Sequence, residues 1–106
     1  MAVSKTGSNI VKLWSNPNPT ASFSPTNISI NAAGYSFIFI ETNQGCGLIG
    51  TGVSNNHTLY ANYPGTWRSR VFYYHHDTDV MEIKEGKEGS STDNGNIIPV
   101  AFYGVR

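Results

Sequence analysis

The stretch TWRSRVFYYHH, residues 66–76, decides how the rest of the chain is read. In an extended segment its side chains sort by odd and even position. Trp67, Ser69, Val71, Tyr73 and His75 share one face, and Arg68, Arg70, Phe72, Tyr74 and His76 share the other. No apolar spacing of three and four residues runs through it, so the pattern predicts a strand and not a helix. Asp77-Thr78-Asp79 then reads as a turn. VMEIKE, residues 80–85, returns as the partner strand of a hairpin, with Met81 and Ile83 on one side and Glu82 and Lys84 off it.

Upstream, SNIVKLWS (8–15) reads as a first strand, after a flexible segment over residues 1–8. NPNPTASFSPT (16–26) holds Pro17, Pro19 and Pro25, which forbid helix and remove ladder donors. It should run extended, with Phe23 pinning it to the core. NISIN (27–31) places Ile28 and Ile30 together, and residues 31–34 form a turn. YSFIFIET (35–42) is apolar on both faces over its middle, which predicts a central strand buried on two sides. QGCGLIGTG (44–52) carries four glycines, the mark of turns, bulges or close backbone approach. HTLYAN (57–62) fits a short strand, and Tyr63-Pro64-Gly65 a turn. GKEGSSTDNGN (86–96) has no apolar residue and is expected to be a mobile loop. Residues 97–105 form the last strand, with Val100, Phe102 and Gly104 pointing together. Seven or eight strands and frequent turns predict one all-β domain: a jelly-roll-like antiparallel β-sandwich or a small barrel.

At 106 residues the chain is one domain, and 7 basic against 7 acidic residues leave no basic field for nucleic acid or an anionic membrane. The single cysteine, Cys46, excludes a disulfide within the chain and reads as a plain structural thiol. No signal peptide is visible, and the longest mainly apolar run, around residues 35–40, is far too short to span a bilayer.

Several clusters bear on chemistry. His75, His76 and Asp77 are candidate metal ligands, yet adjacent strand residues point to opposite faces, so no bound metal or cofactor is expected. A metal on a symmetry axis, shared among copies, is the variant that the spacing permits. Asp77 with Asp79, or Glu82 with Glu85, matches the residue types of a glycosidase pair but lies in or beside a hairpin with no evident cleft. The glycine-rich stretch lacks the lysine and hydroxyl residue of a phosphate loop, and no nucleophile-elbow motif occurs. The chain is therefore expected not to be an enzyme. Aromatics are more telling. Asn56, Tyr60, Asn62, Tyr63, Trp67, Arg68, Arg70 and Tyr74 gather flat rings, planar amides and guanidinium forks in one third of the chain, and these types suit a sugar- or protein-binding surface. The competing reading is core packing and cross-strand pairing. Asn27-Ile28-Ser29 and Asn56-His57-Thr58 match the N-glycosylation acceptor, which means little without a secretory signal.

VKLWSNPNPTASFSPTNISINAAGYSFIFIE (11–41) resembles an opening found in small proteins and terminal modules of bacteriophages and prophages of Gram-positive and gut bacteria. The shared theme is an apolar–Trp pair, Asn-Pro, a second Pro, Phe, a short strand and a Tyr-led strand. IIPVAFYGVR (97–106) resembles the closing strand of those modules, where Ile-Pro, an aromatic, Gly and a final basic residue recur at the end of the chain. The resemblance covers about 40 residues of the 106 and implies a natural C-terminus. It implies a virion protein of the tail-fibre, tail-tip or other exposed type, made in the bacterial cytoplasm. Its partners would be other virion proteins, a host-surface glycan, and further copies of itself in a homo-oligomer, with a trimer as the fibre-like expectation. A capsid-surface decoration protein and a small carbohydrate-active enzyme are the alternatives. The recurring positions Trp14, Pro17, Pro19, Phe23, Pro99, Tyr103 and Gly104 look like folding determinants, and no catalytic residue carries over.

Overall fold

A computed structural model describes residues 9–106, apart from the side chain of Tyr63. The expectation of flexibility over residues 1–8 lies outside the described residues. Among the described residues nine strands occur: β1 (Ile10–Ser15), β2 (Thr26–Ser29), β3 (Phe37–Thr42), β4 (Gly45–Gly50), β5 (Asn55–Tyr63), β6 (Thr66–His75), β7 (Val80–Glu88), β8 (Ser91–Thr92) and β9 (Pro99–Val105). No described residue is helical. The strands form two antiparallel sheets, β1-β9-β3-β4 (sheet A) and β2-β7-β6-β5 with β8 on β7 (sheet B). The chain is thus an all-β sandwich. Its first three strands alternate between sheets as in a jelly roll, and β5–β6–β7 then run as a meander.

Two of the nine, β4 and β8, lie in segments not expected to be strands. The glycine-rich stretch supplies β4, which pairs with β3 from Phe37↔Gly50 to Thr42↔Gly45. Gly47 has a packing reason: a Cβ there would lie 2.7 Å from the His57 ring, so its absence lets β5 of the other sheet close against β4. The second is β8, within the segment expected to be a loop. Residues 86–88 continue β7, and Lys87↔Thr92 and Glu88↔Ser91 pair across a tight turn at Gly89, whose φ is 59°. Without apolar residues, this segment is held by polar bonds alone. Gly86 N–H donates to Asn94 Oδ1 (2.9 Å), Asp93 N–H to the Gly86 carbonyl (2.7 Å), and the buried Asn96 amide to the Lys87 carbonyl (3.2 Å).

The core lies between the sheets. Ile38, Ile40, Ile49 and Phe102 face it from sheet A, and Leu59, Phe72, Tyr74, Met81 and Ile83 from sheet B. Each such side chain contributes about 1.5–3 kcal/mol by leaving water. Phe102 is the meeting point, stacked on Trp14 at 4.8 Å and edge-on to Phe72 at 6.2 Å. Phe23 pins the proline segment as expected, its ring 6.0 Å from Trp14 and T-shaped to it. β9 is interior to its sheet, between β1 and β3, so residues 97–105 do complete a sheet. Gly104 is buried under Tyr35, where a Cβ would stand 2.6 Å from the ring.

β3 departs from its expectation. It is central, but only Ile38, Ile40 and Thr42 are buried. Phe37 is 42% exposed and Phe39 half-buried. Among the described residues no third layer covers that side of sheet A, so the run apolar on both faces yields one core face and one apolar outer face.

Candidate functional site

β5 and β6 form a hairpin closed by Pro64-Gly65, with Gly65 at φ 82° as a tight turn requires. The register pairs Asn56↔Tyr73, Thr58↔Val71, Tyr60↔Ser69 and Asn62↔Trp67. All eight project from the outer face of sheet B, because their neighbours Leu59, Arg70, Phe72 and Tyr74 point inward. Tyr60 is 64% exposed and Trp67 46% exposed, and their rings lie 5.9 Å apart, tilted by 57°. They rest on the diagonal of a hairpin, a rigid base for a binding platform.

β7 supplies the opposite bank. Its register with β6 slips between Arg70 and Phe72: Arg70 faces Gly86 and Phe72 faces Ile83. Two β7 residues, Lys84 and Glu85, therefore stand against the single Val71. This bulge puts Glu82, Lys84, Glu85 and Lys87 all on the outer face, where strict alternation would have turned two of them, Glu85 and Lys87, inward. Each acid is matched to a base. Lys84 Nζ is 3.1 Å from Glu82 Oε2, and Lys87 Nζ is 3.1 Å from Glu85 Oε2. His75 Nε2–H donates to Glu82 Oε1 at 2.8 Å, and Thr92 Oγ1–H to Glu85 Oε2 at 2.9 Å. A shallow concavity of about 660 Å³ lies among Tyr60, Trp67, Ser69 and Val71 on one side and Asn27, Glu82 and Lys84 on the other.

Of the eight residues expected to form one surface, Tyr60, Asn62, Trp67 and Asn56 share this exposed face. Tyr63 ends β5 at the hairpin turn. The other three belong to the opposite face of β6. Arg68 is half-buried and pairs with Glu88, Nε to Oε1 3.3 Å. Tyr74 is fully buried; its hydroxyl donates to Asp79 Oδ1 at 2.6 Å, and burial with this bond pushes its pKa well up. The same carboxylate accepts the backbone N–H of Ala32 at 2.9 Å, so Asp79, at φ 57°, ties the β6–β7 turn to the chain entering β3.

Arg70 is the most displaced from expectation. It is fully buried and meets no carboxylate. Its guanidinium donates five bonds to four backbone carbonyls: Nε to Asn96 (3.2 Å), Nη1 to Phe23 (3.0 Å) and Lys84 (3.0 Å), and Nη2 to Asn94 (3.0 Å) and Asn96 (3.1 Å). All five N–H groups are used. Burial lowers its pKa to about 10, which leaves it charged at neutral pH. Gly86 makes the space, since a Cβ there would be 2.6 Å from Nη2. Arg70 is the knot that ties the proline segment, β7 and residues 94–96 to the core, and it is not available to a ligand.

The metal candidates are spread apart. His75 bonds Glu82, while His76 donates its Nδ1–H to the Thr51 carbonyl at 2.7 Å. Among the described residues no group of three or more His, Cys, Asp or Glu is placed to hold a metal ion. The paired carboxylates also have the wrong electronics for acid catalysis. The hydrogen bond from His75 and then that from Lys84 hold Glu82 below its ordinary pKa, and bonds from Thr92 and Lys87 do the same to Glu85. A general acid in glycoside hydrolysis needs a raised pKa.

No family model matches the sequence, and no curated protein or solved structure matches it either. The outer face of sheet B is therefore read from its own geometry. Its polar bank, Asn27, Glu82 and Lys84, was missed among the candidate residues. The signal was present in the hairpin: once Tyr60 and Trp67 are put outside, the register carries Ser69, Val71 and the charged side of β7 with them.

Proposed function

We propose that this chain is a non-catalytic module of a phage or prophage particle, exposed on the virion, that binds a host-surface glycan through the outer face of β5, β6 and β7. The observation that carries the binding role is the exposed Tyr60–Trp67 pair beside a shallow polar groove on a rigid sheet. Aromatic faces at that exposure engage the C–H faces of sugar rings, and the Asn56 and Asn62 amides offer donors and acceptors to hydroxyls. The particle assignment is supported by the resemblance of residues 11–41 and 97–106 to phage modules.

A second role, in assembly, is favoured by the other side of the molecule. Ile10, Phe39, Leu48, Tyr103 and Val105 line an apolar concavity of about 520 Å³ on the outer face of sheet A, with Phe37 close by. Contiguous apolar surface of this kind marks protein–protein contact. A homo-oligomer, trimeric if fibre-like, or a neighbouring virion protein would cover it. As a capsid-surface decoration protein, the chain would use this face and need no sugar site.

The test joins a solution mass measurement to a glycan array, run on the native chain and on Trp67→Ala. The expected result is an oligomer whose array signal disappears in the variant. A monomer silent on the array overturns both roles; an oligomer silent on the array leaves assembly alone standing.

A further inference from the structure

We infer that the sugar chain taken by the outer face of sheet B is uncharged: a neutral pyranose oligosaccharide, and not a sialylated, uronate or teichoic-acid-type polymer. The inference rests on the glycan reading above and narrows it. The groove has charged side chains, but their charges cancel in place. Glu82 and Glu85 carry two negative charges, Lys84 and Lys87 two positive, and each Glu is within 3.1 Å of its own Lys. Arg70, which also borders the concavity, spends all five of its N–H groups on backbone carbonyls. Among the described residues an anionic sugar would thus find no net positive charge on this bank. Its charge would meet each ammonium with a carboxylate 3.1 Å away, so attraction to the one is offset by repulsion from the other.

A hydroxyl-bearing ring makes no such demand. Paired carboxylates keep free lone pairs for O–H donors, and paired ammonium groups keep free N–H donors for hydroxyl oxygens. Across the groove, Tyr60 and Trp67 supply the apolar platform, and Thr58 on β5 and Ser69 on β6 lie on the same face. From β5 to β2 the sheet is three strand spacings wide, about 14 Å, which suits a short oligosaccharide better than one ring. The bulge in β7 makes the arrangement specific, because it brings Lys84 and Glu85 out together and so completes both neutralised pairs.

The experiment titrates the native chain by calorimetry with neutral oligosaccharides (gluco-, galacto- and manno-series), and in parallel with polygalacturonate, a sialyl-oligosaccharide and glycerol-phosphate teichoic acid. The neutral series is expected to bind with an affinity that is flat in salt and falls about tenfold or more in Trp67→Ala. The anionic ligands are expected to bind at least about tenfold more weakly than the best neutral one. They should gain in the double variant Glu82→Gln/Glu85→Gln, whose bank keeps two unpaired lysines. Anionic ligands that bind as well as neutral ones, with dependence on Trp67 and on salt, overturn this inference and leave the glycan reading intact. Neutral binding indifferent to Trp67→Ala overturns the assignment to this groove. Failure of every ligand overturns the glycan reading itself.

Discussion

The two faces of β6 are built from similar residues and put to opposite uses. Inward it presents Arg70, Phe72 and Tyr74, each fully buried; outward, one residue along, it presents Trp67, 46% exposed, with Ser69 and Val71. Ranked by residue type alone, the guanidinium belongs outside and the indole inside. The strand reverses this because burial is decided by what can be satisfied. Four backbone carbonyls, from Phe23, Lys84, Asn94 and Asn96, converge where no strand pairing reaches them, and a five-donor fork answers them all. The indole has no such demand upon it, and it is left where it can meet a partner. A polar side chain here makes the fold and an aromatic one makes the surface.

The sharpest way to break the comparison is Arg70→Met, which keeps most of the apolar bulk and removes the donors. Four carbonyls lose the donors of the fork, and that of Asn94 keeps the Phe23 N–H at 2.9 Å. The expected cost is about 3–5 kcal/mol, read as the shift in urea midpoint at unchanged m-value. By contrast, the Trp67→Ala variant used for binding should cost about 0.5 kcal/mol or less, in keeping with an exposed position. Equal losses in the two variants would show that β6 has no division of labour. Amide exchange supplies a finer readout: residues 86–96 should exchange faster in Arg70→Met, since the knot that holds them is gone.

A smaller effect is expected at the other buried polar contact of the inner face. Tyr74→Phe removes the hydroxyl that meets Asp79 at 2.6 Å but leaves the ring in place. Asp79 still accepts from Ala32, so its carboxylate is not orphaned, and the loss should be about 1.5–3 kcal/mol, below that of Arg70→Met. A neutral result would mean that the turn at residues 76–79 is held by its backbone alone.

This difference also explains what could be read from the residues and what could not. Alternation in residues 66–76 gave both faces of β6 correctly, and with it the sandwich and the interior place of the last strand. Alternation has no sign, though. It cannot say which face is inside, and Arg70 and Tyr74 were grouped with Trp67 because their residue types suit a binding surface. Only the convergence of carbonyls from three distant segments puts Arg70 inside, and that convergence does not exist until the sheets have formed. The same limit hid β4, where glycine suppresses strand propensity and Gly47 is required by His57 of the other sheet. It also hid the β7 bulge, so the four charged residues of the groove's far bank were not seen as one row. In residues 86–96 the absence of apolar side chains suggested a loop, while side-chain amides and the Arg70 fork supply the order that burial would otherwise give.

Acid titration sharpens the comparison from the outer side, with the smallest effect. Glu82 is held below its ordinary pKa, first by the hydrogen bond from His75 on β6 and then by that from Lys84 on β7; Asn27, its partner on β2, is uncharged. A carboxyl whose folded pKa is depressed stabilises the fold above its unfolded value, near 4.3, and that contribution disappears as pH falls through the lower folded value. The native chain should therefore lose stability on acidification below about pH 5 partly through this group. Glu82→Gln should start slightly below the native chain at neutral pH, by the small amount a solvent-screened pair contributes, and show a shallower fall over that window. Arg70, whose bonds all go to backbone carbonyls, should be silent over the same range, since it titrates far above it. Urea midpoints collected from pH 6 down to about 3 for the native chain, Glu82→Gln and Arg70→Met separate the two faces: the first two curves should converge at low pH, whereas the third should run parallel to the native one. Parallel curves for all three would mean that the Glu82 pairs carry no folding free energy, and that the neutralised bank of the groove is held in place by the β7 bulge alone.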